Sequence, residues 1–362
     1  MKILQVIPNL ATGGAEVFVV SLCNALAKMG HEITIMTFYP KDDSQFLYKR
    51  LDKQVKQVLL PKHKGVDLLL PFRICKFIKN GKFDVAHFHV QSIIYSIISC
   101  MVHKECRYIA TIHNDAYKEA QGLHRFARKY LFKNKLMLPI TISDESKISF
   151  KELYKLKSEV IYNGVTTDYF TESDVVEFNK FRITPQTKVF TYVASVNEVK
   201  NQLNAAKAFN RLAKNGYDVA LLVLGRITES DYCRQVKNES SKNVIVYGQT
   251  SNPVEFMKKS DFFMLVSQYE GMPISLLEAF SSRLIPIVTP VGGNKNLVHD
   301  EINGLICDSC EIDSICNVVK RAIELTEEQI AHMKDKLTQD FAEFSIETCA
   351  KKYVELYNIK EL

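Results

Sequence analysis

Ser267-Gln268-Tyr269-Glu270-Gly271-Met272-Pro273-Ile274-Ser275-Leu276-Leu277-Glu278-Ala279-Phe280 follows directly on Phe262-Phe263-Met264-Leu265-Val266. The apolar run has the length and the aromatic and β-branched content of a buried strand. A polar turn, Gly271 and Pro273 then lead into a run with helical spacing. Pro273 fits the first helical position, where its missing N–H costs nothing. The stretch therefore reads as strand, tight loop and helix N-terminus. The N–H groups of Gly271, Ile274 and Ser275 would point beyond the strand end, and the helix dipole favours an anion there. Glu270 falls on the loop and Glu278 lies two turns further on. Carboxylates repel phosphate, so this pair suits hydroxyl donors such as a ribose diol and a sugar ring.

Working outward, apolar runs alternate with helical patterns along the chain, which predicts βα units on parallel sheets. A length of 362 residues suggests two domains. The content of 46% hydrophobic and 24% charged residues suits globular domains with sizeable cores. No apolar run approaches the ~20 residues of a membrane-spanning helix. The first residues, Met1 to Pro8, read as a strand because their apolar stretch is short for a signal peptide. Nine cysteines lie scattered without a framework, so reduced thiols and a cytoplasmic location are expected. Cys307-x-x-Cys310 lacks the second pair a zinc site would want. A net charge of +6 is too small to argue for nucleic acid, and none is expected as a partner.

In the first half, Ile3–Ile7 reads as a strand. A helix follows with Val17, Val20, Leu22, Ala25, Leu26 and Met29 apolar, and Gly30 ends it. Gly13 and Gly14 lack side chains where strand turns into helix, so a ligand could approach the backbone closely; a plain tight turn fits equally. Asp84–His89 has period two, which puts His87 and His89 on one side. His89 stands at the C-terminal tip, where open α/β sheets bind ligands. Tyr108–Ile112 ends the same way in His113 and Asn114. A lone histidine at a strand tip is more often structural, as His87 is read here. Two adjacent tips each ending in histidine make a ligand site the sharper reading. Asp115–Gln121 reads as a flexible loop. Gly122–Lys135 reads as a basic amphipathic helix. Leu123, Phe126 and Tyr130 form a stripe, with Arg125, Arg128, Lys129 and Lys133 mostly off it. Residues 123–135 could thus meet an anionic membrane, or the stripe could be buried under a solvated basic face.

The second half begins after a polar linker, Thr171–Thr187. Lys188–Val193 is its first strand, and Ala194–Gln202 enters a helix through Leu203, Ala206 and Phe209. Further strands are expected before Gly225-Arg226, over Asn243–Gly248, over Ile285–Thr289 and at Gly304–Ile306. Phe341, Phe344, Cys349, Tyr353, Leu356 and Tyr357 mark the buried side of the last helical segment. The expected division is 1–170, 188–340 and a terminal helix within 341–362.

Several motifs together carry a family resemblance. They are Glu270-x7-Glu278 after a strand, Gly13-Gly14-Ala15-Glu16, His89, Asn163-Gly164-Val165 followed by Phe170, Lys200, and Gly292-Gly293. In these the chain resembles, over nearly its whole length, the retaining glycosyltransferases of family 4, the group 1 glycosyltransferases with the GT-B fold. The resemblance implies two Rossmann-like domains with parallel sheets facing across a cleft. The first would bind the acceptor and the second a nucleotide-sugar, with the last helix crossing back to the first. It implies catalytic roles for His89 near the reacting sugar, Glu270 on the sugar hydroxyls and Lys200 at the leaving phosphate. Gly13, Gly14, Ser195, Arg226, Gly271, Met272, Pro273, Ile274, Ser275 and Glu278 would complete the donor site. Glu278 would take the ribose, and His113 and Asn114 the acceptor side.

Ser195 stands where the family usually has Arg, and Arg226 is the substitute charge offered. Thr166 and Asn296 replace acidic residues. The implied reaction moves a sugar from a UDP- or GDP-sugar to a hydroxyl of a glycan or lipid-linked acceptor. Retention needs no protein nucleophile, and helix terminus and lysine replace a metal, so no cofactor is expected. The setting implied is bacterial cell-surface polysaccharide synthesis at the cytoplasmic face of the inner membrane. The alternatives are a nucleotide-sugar epimerase of the same fold and a catalytically silent partner subunit.

Overall fold

The computed structural model describes residues 1–11, 13–40, 46–63, 65, 67–166 and 178–359. Thr12, Phe170 and residues 171–177 of the expected linker lie outside these. The chain forms two compact units, Met1–Gly164 with Phe344–Leu362, and Val165–Glu343.

The first unit is built on seven strands: β1 Lys2–Val6, β2 Glu32–Thr37, β3 Lys56–Leu59, β4 Val85–His89, β5 Arg107–Ile112, β6 Leu138–Thr141 and β7 Glu159–Val160. Their order is β3-β2-β1-β4-β5-β6-β7 and every pairing is parallel. The winding direction reverses between β1 and β4, the place where open sheets of this kind bind ligands.

Period-two alternation divides the central strands into two different faces. Leu4, Val6, Ala86, Phe88, Ala110 and Ile112 belong to one apolar cluster. Gln5, His87, His89 and Thr111 occupy the alternate positions and are also fully buried. Register sets Gln5 beside His87 and His89 beside Thr111. A polar face can be buried only if its groups find partners. Here they come partly from the C-terminal helix Ile346–Asn358, which brings Tyr353 and Tyr357 onto it. That segment lies so close to Gly164 that a Cβ there would stand 2.7 Å from the Cys349 Cβ and 2.8 Å from the Ile346 Cα.

The second unit has six parallel strands: β8 Lys188–Val193, β9 Val219–Leu224, β10 Val244–Gly248, β11 Phe262–Leu265, β12 Ile285–Val288 and β13 Leu305–Ile306. The order β10-β9-β8-β11-β12-β13 reverses between β8 and β11. β9 and β11 are buried throughout, which is why both read as unbroken apolar runs.

Two local expectations are corrected. Asp115–Gln121 is not a simple loop, because Ala116–Glu119 makes a helical turn. Asp115 caps it by accepting the N–H groups of Tyr117 and Lys118 at 2.9 and 3.1 Å. The described end of the linker is not merely polar either. Phe178–Phe181 forms a 3-10 turn whose two phenylalanines are buried with Val189, Leu222 and Phe256.

Candidate functional site

At the reversal in the second unit, the tips of β8 and β11 are neighbours, and the residues leaving them meet. Beyond β8 the chain enters a 3-10 turn, Glu198–Lys200. The Asn197 side chain accepts the Lys200 N–H at 3.2 Å, and the Tyr192 hydroxyl donates to the Lys200 carbonyl. Burial holds the Tyr192 phenol well above its ordinary pKa, so it remains a donor. The Gln268 N–H donates to the Val199 carbonyl at 2.8 Å, tying this turn to the loop after β11. Lys200 Nζ then lies 2.5 Å from Glu270 Oε2, and Ser267 Oγ donates to Glu270 Oε1 at 2.6 Å. Glu270 is 4% exposed, whereas the Lys200 side chain is a quarter exposed.

The same loop is braced from behind. The Ser267 carbonyl accepts from Thr289 Oγ at 2.5 Å and from Cys310 Sγ at 3.3 Å. Gly293 N–H donates to the Gly271 carbonyl at 2.8 Å. A Cβ on Gly292, whose φ is +50°, would sit 1.7 Å from the Glu270 carbonyl oxygen. One on Gly293 would sit 2.4 Å from that of Gly271. The two glycines thus let one loop backbone lie flush against the other.

Pro273 is the residue before the helix rather than its first residue, another correction. Its ψ of 119° is extended, and its carbonyl starts the ladder by accepting the Leu276 N–H at 3.1 Å. The helix is Ile274–Ser281, with Glu278 buried in its second turn. Met272 and Ile274 are buried, and Gly271 and Ser275 are half-buried. Ser195 and Arg226 lie on adjacent strand ends, because Val196 N–H donates to the Arg226 carbonyl at 2.9 Å. Arg226 is exposed.

In the first unit, Gly13 precedes the helix Gly14–Lys28 in an extended conformation. A Cβ there would meet Glu16 Oε2 at 2.3 Å. The two strand-tip histidines are brought together: His89 Nδ1 is 2.9 Å from His113 Nε2, and His89 Nε2 is 2.7 Å from Gln5 Oε1. The Gln5 amide nitrogen donates to the Tyr357 hydroxyl at 3.3 Å, and that hydroxyl is 2.8 Å from His87 Nδ1. His87 Nε2 lies 2.7 Å from Thr111 Oγ1, which lies 3.0 Å from the Tyr353 hydroxyl. With the Gln5 oxygen as acceptor, His89 Nε2 carries the proton and His89 Nδ1 accepts from His113 Nε2–H. His113 Nδ1 is then a lone pair shielded from solvent, with no partner among the described residues. Burial pushes His87 and His89 well below the ordinary imidazole value and His113 to about 3, the Arg128 charge adding to the shift at His113. His89 is wholly buried with both ring nitrogens engaged. His113, half-buried as a residue, ends the row with a ring nitrogen that is unpaired among the described residues and shielded from solvent.

Sequence reasoning missed how these tips are held. Val90, directly after His89, has φ +48°, an outlier for a β-branched residue costing about 1–3 kcal/mol. Its carbonyl accepts Arg128 Nη2 at 2.7 Å. Arg128 belongs to the helix Gly122–Lys133 and is 0% exposed, which corrects its expected place on an outer basic face. The stripe expected on one side of that helix is the exposed one, with Leu123 and Phe126 each 71% exposed. Tyr353 and Tyr357 carried a usable signal, since their i, i+4 spacing sets both on one face. Glu119 and Arg128 carried none.

Among the described residues, no three His, Cys, Asp or Glu side chains are placed to hold a metal ion. None of their helices is long and apolar enough to cross a membrane.

Two doubly wound parallel α/β units, each with polar groups gathered at its winding reversal, define a two-domain protein of the GT-B class. A family model described as "Glycosyl transferases group 1" matches residues 175–339, and one described as "Glycosyltransferase Family 4" matches residues 12–169. The chain belongs to the group 1 glycosyltransferases and is an enzyme of glycosyl transfer. It is 26% identical over 302 residues to the UDP-Gal:alpha-D-GlcNAc-diphosphoundecaprenol alpha-1,3-galactosyltransferase of Escherichia coli, covering 78% of this chain and 74% of that one. It is also 26% identical to the capsular polysaccharide biosynthesis glycosyltransferase CapH of Staphylococcus aureus, covering 81% of each. A glycosyltransferase from Rickettsia africae superposes with a TM-score of 0.82 at 19% identity, over 98% of this chain and 97% of that one. HepE of Anabaena, solved with UDP and glucose, gives 0.81 at 16%, over 99% of this chain and 100% of that one.

Proposed function

We propose that this enzyme moves a sugar from a UDP- or GDP-sugar to a hydroxyl of a glycan or lipid-linked acceptor in bacterial cell-surface polysaccharide synthesis. The transfer retains anomeric configuration and uses no metal. The observation that carries the reading is the cluster of Lys200, Glu270 and Ser267 at the winding reversal, just before a helix N-terminus. Without donor, the ammonium and the carboxylate satisfy each other. A nucleotide-sugar offers each a better-matched partner: diphosphate oxygens for Lys200 and ring hydroxyls for Glu270. As the glycosidic bond breaks, charge grows on the diphosphate, where Lys200 and the N–H groups of the helix start stabilise it. Glu278 takes the ribose hydroxyls. The departing phosphate oxygen accepts the proton of the attacking hydroxyl on the same face, so no protein nucleophile is needed.

His113 and the exposed Asn114 line the place taken by the acceptor hydroxyl, and His89 sets the ring of His113 from behind. Two relatives named for undecaprenol-linked substrates support a lipid-linked acceptor. The exposed Leu123, Phe126 and Tyr130, interleaved with Arg125, Lys129 and Lys133, suit docking at an anionic membrane.

The test is nucleotide release from a panel of UDP- and GDP-sugars, with and without undecaprenyl diphosphate-linked sugar, in chelator. Acceptor-dependent release and a product of unchanged anomeric configuration are expected. Failure on every donor, with no rise in melting temperature on adding UDP or GDP, overturns the reading and points to a silent subunit. Co-sedimentation with vesicles containing phosphatidylglycerol, lost in a Leu123→Glu/Phe126→Glu variant, checks the membrane contact.

A further inference from the structure

From its geometry we infer that the buried Glu119–Arg128 ion pair is a positioning device that sets both histidine-bearing strand ends. Arg128 Nη1 meets Glu119 Oε1 at 2.9 Å, while Arg128 Nη2 holds the Val90 carbonyl at 2.7 Å. Glu119 Oε2 in turn accepts the N–H groups of His113 and Asn114 at 2.7 and 3.1 Å. One planar guanidinium thus spans the residue after His89 and the carboxylate that gathers the backbone after β5. A lysine, with a single point charge, could not bridge those two acceptors in fixed geometry.

The pair is held from both sides. Glu119 ends the turn capped by Asp115, and that turn is tied to the neighbouring helix by Ala116 N–H donating to Ser149 Oγ at 3.1 Å. Arg128 arrives from a separate helix and is 0% exposed. Burying two charges is costly unless their hydrogen bonds are well made, and an apolar pair of similar size generally packs as stably. Packing alone therefore does not account for the pair. What an apolar pair could not do is hold Val90 in its left-handed conformation while collecting two successive N–H groups. The result fixes the separation of His89 and His113, whose rings share a hydrogen bond.

This inference rests on the assignment of His113 and Asn114 to the acceptor, and the experiment separates the two. The double variant Glu119→Leu/Arg128→Met leaves no buried charge unpaired and is expected to fold. Three measurements are made on it and on the parent. The melting-temperature rise with UDP or GDP should be unchanged, because neither Glu119 nor Arg128 belongs to the donor site. Ring nitrogen NMR signals of His89 and His113, assigned by single substitutions, should leave the parent's tautomer pattern or broaden. With the donor and acceptor used by the parent, kcat should fall roughly tenfold to a hundredfold with the donor KM unaltered. Arg128→Lys should show the same change in smaller degree. Parent-like histidine signals and parent-like kcat in a folded double variant overturn the inference. If the parent itself neither transfers sugar nor binds nucleotide, the functional reading fails, and the histidine signals alone decide the role of the ion pair.

Discussion

Lys200 Nζ stands 2.5 Å from the buried Glu270 carboxylate, so each charge is the other's partner at the end of the β8–β11 pair. Their chemistry was legible in the sequence: a cation for a phosphate and a carboxylate for hydroxyls. Their contact was not, because 70 residues separate them and only the β8–β11 adjacency brings them to 2.5 Å. That contact sharpens a prediction. If Lys200 serves only to neutralise a buried carboxylate, Lys200→Met should lower the melting temperature and leave turnover per folded molecule intact. If it stabilises the departing diphosphate, kcat should drop about a hundred- to a thousandfold, the usual loss when a charge-stabilising donor is removed. The second outcome is expected, read as kcat and donor KM on the folded fraction.

Elements differ in how plainly the chain announces them. The strand-loop-helix over residues 262–281 was readable because a buried strand and a helix start leave composition and spacing signals that agree. β3 was not, since an edge strand reading Lys56-Gln57-Val58-Leu59 is half polar and shows no continuous apolar run. The helix Gly122–Lys133 had a legible periodicity but a misleading one. Its most apolar stripe faces outward, and an arginine is drawn inward by a carboxylate nine residues earlier. Gly292 and Gly293 were recognised by resemblance, and the structure supplies their physical reason in the approach of the 270–271 backbone. Gly292→Ala should therefore cost about 1–3 kcal/mol and weaken nucleotide binding, since its Cβ has no room beside the Glu270 carbonyl. Gly216→Ala is the control. It too has positive φ, +85°, but nothing stands within 4 Å, so it should cost about 1 kcal/mol and spare binding. Urea denaturation and nucleotide titration of both variants measure the difference.

At the scale of the whole molecule, the buried histidine row makes stability depend on pH. Unfolded, the rings of His87, His89 and His113 take up protons near pH 6.5. Folded, all three are held below that, His113 at about 3, so between these values the unfolded chain binds more protons. Stability is whole above pH 6.5 and falls as pH drops, by up to about 1.4 kcal/mol per pH unit for each ring. Arg128 and Glu119 are the charged groups packed beside the row. Glu119 is pushed upward by burial, against the pull of Arg128 and its two N–H donors, which offsets part of the loss at the acid end. Melting curves between about pH 7 and pH 5 should show the slope, and His87→Asn should reduce it by roughly one ring's share.

The row also binds the two ends of the chain together, and this gives the two units unequal independence. The second unit is one continuous segment, whereas the first is closed by residues that return after a whole unit has intervened. Ile346, Cys349, Tyr353 and Tyr357 are buried in the first unit, and two of them supply hydroxyls to His87 and Thr111. Removing them would expose apolar surface and strip partners from buried polar groups at once, and the second loss is the more damaging for a polar face. A chain ending at Glu343 should therefore lose the cooperative unfolding of the first unit. The isolated segment 165–343 should still fold and take up nucleotide. Calorimetry of the truncated chain, with UDP titrated into each form, checks both halves. A truncated chain that kept two full transitions would show that the terminal tyrosines contribute little to the first unit, and that the histidine face is satisfied without them.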